Sequence, residues 1–167
     1  MKKLLLLIVC AIFTLHVNAQ SQNYKSYEEN TSILKKLLKS AEKDFKNITG
    51  DKLSNSDEGY TSYDSELNFG VGTETIEKKD GTNENYFSHI SDFKGAHVLS
   101  DAVSDYIKKN FSGDEYVIDE ESNEYSDAYT KRIFKKGNDY PFLLVSLTAD
   151  IYDTKFIVYI FGRSAFK

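Results

Sequence analysis

Apolar residues recur along this chain in three rhythms, and each predicts a different kind of segment. The first is an unbroken run. Positions 4–15 are apolar apart from Thr14, Lys2 and Lys3 precede them, and Val17-Asn18-Ala19 leads into Gln20. A basic start, an apolar stretch and a small-residue cut form the pattern of a secretory signal peptide. The run is about a dozen residues, short of the roughly twenty a bilayer requires, so no stable membrane insertion is expected after cleavage. Cys10 sits inside the run with Val9 before it, and so reads as part of the leader rather than as a lipidation site. The expectation is a cleaved leader at 1–19 and a single α+β domain at 20–167, exported to the periplasm or the exterior.

The second rhythm is helical. Ser26-Tyr27-Glu28-Glu29 fits a capping box, and Ile33, Leu34, Leu37, Leu38, Ala41, Phe45 and Ile48 follow on one stripe. Lysines largely occupy the other faces, and Gly50 is placed to end the helix. These features predict a helix over 27–48. A second helix is predicted over 95–110, with Asp92 as its cap and Val98, Leu99, Ala102, Val103, Tyr106 and Ile107 as its stripe. Lys108 and Lys109 suit the negative end of its dipole.

The third rhythm is alternation. Positions 63–77 read as one extended segment bent at Gly70 and Gly72, and Asp80-Gly81 marks a hairpin turn into a return strand at 85–90. Further strands are predicted at 116–119, 128–136, 142–149 and 155–162. The 156–161 stretch is apolar on both faces, as an interior strand requires. Positions 51–61 are polar and read as a loop. The basic strand with Lys131, Arg132, Lys135 and Lys136 reads as a charged edge. The expected fold is an antiparallel sheet of about five to six strands with two helices on one face, ordered α-β-β-α-β-β-β-β. No repeat is visible in the residues.

Composition changes this picture mainly by exclusion. Loss of the leader removes the only cysteine and takes the formal net charge from −5 to −7. Disulfides, thiol nucleophiles and thiolate metal sites go with it. An acidic chain without arginine-rich stretches is not built to bind nucleic acid or anionic membrane surfaces.

Three constellations offer chemistry. His97 and Asp101 are four residues apart on the second helix and, with His89, could form a two-histidine, one-carboxylate metal site. The competing reading is a solvated helix face. The same histidines could serve a serine among Ser88, Ser91 and Ser100, although no Gly-x-Ser-x-Gly elbow is present. The acidic segment 114–127, which includes Glu120, Glu121 and Glu124, reads as a solvated connection. It could also hold calcium, or contact a basic enzyme as an inhibitor or immunity-type protein would.

Finally, there are 12 tyrosines and no tryptophan. Tyr60, Tyr63 and Tyr125 stand in polar surroundings near 55–64 and 120–127, where tyrosine suits a binding surface. The sequence thus points to a small exported, non-enzymatic binding protein that takes a protein or envelope-component ligand and needs no cofactor. A metal-dependent or serine hydrolase using His89, His97 and Asp101, and an inhibitor acting through 114–127, are the alternatives.

Overall fold

A computed structural model describes residues 24–55, 59–79, 81–82, 84–122, 128–149 and 154–163. The leader, Glu124 and Tyr125 lie outside the described residues. Helix α1, Tyr27–Ala41, starts with the expected capping box: the Glu29 N–H donates to Ser26 Oγ at 3.2 Å, and the Ser26 N–H donates to the Glu29 carboxylate at 2.8 Å. The helix ends at Ala41 rather than 48. There the Phe45 N–H bonds the Ser40 carbonyl at 3.0 Å and the Asp44 N–H bonds that of Ala41 at 3.1 Å. These are the paired bonds of a Schellman end, and they need a left-handed residue just past the helix. Asp44, at φ 53°, supplies it, and Phe45 follows at φ 59°. Phe45 and Ile48 still reach the core, but through this reversal and not along a helical stripe.

The reversal delivers the chain into β1, Thr49–Asn55. The predicted loop at 51–61 is therefore partly strand, and Gly50 belongs to β1. β1 is exposed along most of its length, so it carries no apolar alternation for the sequence to display. The extended stretch at 63–77 is two strands, β2 (Tyr60–Ser65) and β3 (Thr73–Lys79). Gly70 and Gly72, at φ +79° and +74°, turn the chain between them. β4, Asn85–Asp92, returns beside β3 and runs directly into α2, Phe93–Asn110, where the Lys94 N–H donates to the Asp92 cap at 2.8 Å. β5 (Tyr116–Ser122), β6 (Tyr129–Lys135), β7 (Leu143–Ala149) and β8 (Thr154–Phe161) complete the meander.

The eight strands of the described residues form one antiparallel sheet in the order β1-β2-β3-β4-β8-β7-β6-β5. The α+β class agrees with expectation, but the strand count is higher and the element order is α-β-β-β-β twice over. The residues show no repeat, yet the topology repeats. The two halves meet where their last strands pair, from Tyr86 opposite Phe161 to Asp92 opposite Lys155. β8 is thus interior, as its two apolar faces predict. β6 is not an edge: acidic β5 lies outside it.

Alternation divides the sheet into two faces. Phe87, Phe156, Val158, Ile160, Leu143, Val145 and Ile133 face α1 and α2 and form the core with Leu34, Leu37, Leu99 and Val103. Tyr86, Tyr159, Phe161, Leu144 and Ile157 point the other way and stay half-buried. No helix among the described residues is long and apolar enough to cross a membrane.

Candidate functional site

Neighbouring residues of β4 point to opposite faces and build two very different environments. On the helix side, His89 is fully buried, with its ring edge-on to Phe69 at 5.2 Å and to Phe156 at 6.4 Å. Its Nδ1 lies 2.9 Å from Glu74 Oε1 and its Nε2 2.9 Å from Ser91 Oγ. A carboxylate only accepts, so Nδ1 carries a proton. In the neutral ring, Nε2 is then left to accept from the Ser91 hydroxyl. Glu74 Oε1 also accepts from the Phe69 N–H at 3.0 Å, which ties the turn before β3 to the network.

Glu74, His89 and Ser91 have the connectivity of an acid–base–nucleophile set. Their surroundings oppose that use. Ser91 is only 5% exposed. A Cβ added to Gly72 would lie 2.6 Å from the Ser91 Cβ, so the turn backbone rests directly on the serine. The arrangement satisfies every polar atom of a buried histidine and cross-links β3, β4 and the turn, as a buried polar network in a core must.

His97 lies elsewhere. It is exposed on α2, with Nδ1 donating to the Lys94 carbonyl at 3.2 Å, and Asp101 is exposed on the same helix. The predicted trio is not brought together, and among the described residues no group of three metal-ligating side chains converges. Ser88 pairs with Thr75 at 2.8 Å on the outer face, and Ser100 lies on the buried side of α2. Asn30-Thr31-Ser32 has the N-x-S/T pattern of a glycosylation acceptor, but Asn30 is buried at 3% exposure.

The acidic segment is in part strand β5, and its carboxylates answer the basic residues of β6. Lys131 bonds Glu120 at 3.2 Å, while Arg132 bonds Asp119 at 3.1 Å and Glu121 at 3.2 Å. The hydrogen bonds that Arg132 donates to Glu121 and then to Asp119 push its guanidinium further above its already high value. Glu120 and Glu121 are therefore each ion-paired to β6 within the sheet.

On the outer face the aromatic residues gather. Tyr86 is edge-on to Tyr60 at 5.7 Å and to Tyr159 at 5.8 Å, and lies 6.1 Å from Phe161. At this end of the sheet a hollow of about 660 Å³ opens. Tyr60, Tyr86 and Phe161 line it from the strands. Glu84 and Asn85 line it from the start of β4, and Gly137 to Pro141 from the β6–β7 turn. Tyr140 is 66% exposed at its rim. Lys79 approaches from outside, 3.1 Å from Glu84 Oε2 and 5.4 Å from the Tyr60 ring centre. The Glu84 carboxylate holds the Lys79 ammonium above its ordinary value.

Tyr60, a candidate from the sequence, thus lines the hollow. Tyr63 does not. It is half-buried on the helix side, with Lys78 Nζ 4.6 Å from its ring centre. Burial first, and then the charge of Lys46, hold that ammonium below its usual value. Sequence reasoning missed Tyr86, Tyr159 and Phe161, although alternation against Phe87 and Ile160 already placed them together on the far face. It also missed Glu74 and Tyr140, whose neighbours come from other parts of the chain. No known family model matches the chain, and no curated protein or solved structure is significantly similar to it.

Proposed function

We propose that this is a small exported, non-enzymatic binding protein that holds its ligand on the face of the sheet that no helix covers among the described residues. The observation that supports this most is the ring cluster of Tyr60, Tyr86, Tyr159 and Phe161, which ends in the hollow. Aromatic rings held in place by their neighbours offer contact area with little side-chain entropy left to lose on binding. A half-exposed aromatic sheet face, with no helix over it among the described residues, is also costly to leave wet, which favours an occupant. The test is a ¹⁵N-labelled protein exposed to panels of short peptides and soluble glycans. Saturable shifts clustering on Asn85, Tyr86, Tyr140 and Phe161 are expected. Shifts confined to the helices or to β5 would sink the proposal.

One observation favours a second reading, a serine hydrolase: the Glu74–His89–Ser91 chain with its two 2.9 Å contacts. Reactivity distinguishes the two readings. A fluorophosphonate probe labels an activated serine, and the buried Ser91 is expected to stay unlabelled. Labelling that Ser91→Ala abolishes would establish the enzyme instead.

A further inference from the structure

We propose, building on that binding role, that the hollow receives a lysine or arginine side chain presented by a segment of a partner protein. The charged residues that line it are both carboxylates, Glu84 and Asp139. Glu84 is already matched by Lys79, whereas Asp139 is exposed and in no ion pair among the described residues. Half of the remaining lining residues are aromatic: Tyr60, Tyr86, Tyr140 and Phe161. A ring face beside a carboxylate attracts a cation twice, through the ring quadrupole and through charge.

The protein itself displays this chemistry at the rim. The Lys79 ammonium sits between the Tyr60 ring and the Glu84 carboxylate. A second cation entering from solvent finds the same pair of groups in Tyr140 and Asp139, consecutive residues of the β6–β7 turn. Its aliphatic stem would lie against Phe161 and Pro141, as long basic side chains commonly do on apolar surface.

A polypeptide is favoured over a small free cation because the hollow does not stand alone. Tyr159 carries the apolar surface away from it to Leu144, its partner on β7, and Ile157 pairs with Ile90, which is 40% exposed. A segment with apolar residues flanking the basic one would cover that stripe, which a polyamine would leave wet.

The experiment uses the whole protein and four probes: a blocked Gly-Leu-Arg-Leu-Gly peptide, the same peptide with Gln or Glu in place of Arg, and spermidine. The Arg peptide is expected to shift the signals of Asn85, Tyr86, Tyr140 and Phe161 saturably, and the Glu peptide to leave them unmoved. Asp139→Asn and Tyr140→Ala, both at exposed positions that leave the core untouched, are each expected to weaken the Arg peptide by roughly tenfold. Asp139→Glu should restore most of the binding. Equal binding of the Arg, Gln and Glu peptides would overturn the cation preference and leave the binding role intact. Spermidine binding as tightly as the Arg peptide would overturn the polypeptide as its source. Failure of all four probes, together with silence from the wider peptide and glycan panels, would overturn both proposals.

Discussion

His89 fills an aromatic slot between Phe69 and Phe156 and makes two hydrogen bonds there, so its removal is felt twice. His89→Ala leaves a cavity and strips partners from Glu74 and Ser91; the expected loss is about 4 kcal/mol, read from urea unfolding. Glu74→Gln keeps an oxygen for Nδ1 and should cost less than half of that. Gly72 is constrained from outside itself. It stands at φ +74°, and a Cβ there would meet the Ile90 carbonyl and Ser91. Gly72→Ala is therefore expected to destabilise by on the order of 3 kcal/mol, and a change near zero would show that the turn does not rest on β4. At the other end of the chain, hydrogen bonds from the Ser26 backbone and then its side chain hold the Glu29 carboxyl below its ordinary value of 4.5. A lowered folded value means that this contribution is fully present above 4.5 and is lost as pH falls through the folded value. Glu29→Gln should accordingly flatten the acid limb of stability against pH and leave the neutral plateau with no further pH dependence from this site.

Between elements, charge does what apolar alternation does inside them. β5 is an edge strand with Val117 at 49% and Ile118 at 39% exposure, a surface open to unwanted pairing. Asp119, Glu120 and Glu121 line it with charge, and Lys131 and Arg132 on β6 hold those charges in register. The ion pairs are largely exposed, so Arg132→Ala should change global stability by less than about 1 kcal/mol. Its effect belongs to the edge: amide exchange in 116–122 should quicken while β8 stays protected. Unchanged exchange would show that the pairs do not hold β5. The same elements explain what local pattern could and could not reveal. The helix starts at Ser26 and Asp92 were legible because caps are chemistry within one turn of chain. The end of α1 was not, because Phe45 and Ile48 keep helical spacing while the backbone reverses at Asp44. β1 was invisible because an exposed edge strand has no buried face to write into its residues.

At the scale of the molecule, the two α-β-β-β-β halves share one sheet through β4 and β8 and one core beneath α1 and α2. A core that spans the seam predicts a single cooperative unfolding transition, with coincident urea curves from helical circular dichroism and tyrosine fluorescence. Two separated transitions would show that the halves fold independently. Periods of 3.6 and 2 by themselves determined the presence of both helices and the interior character of β8, because those features depend on residues within a few positions of one another, and the succession of adjacent strands pointed to the antiparallel α+β class. Alternation also determined that Tyr86 and Phe87 must part to opposite faces. Only the tertiary structure decided which residues meet after that. Glu74 reaches His89 because β3 pairs with β4, Lys131 and Arg132 find their acids because β5 pairs with β6, and Asp139 and Tyr140 line one hollow with Tyr86 because the β6–β7 turn folds beside the end of β8. Such neighbours are set by strand pairing across long stretches of chain, and no local periodicity records them.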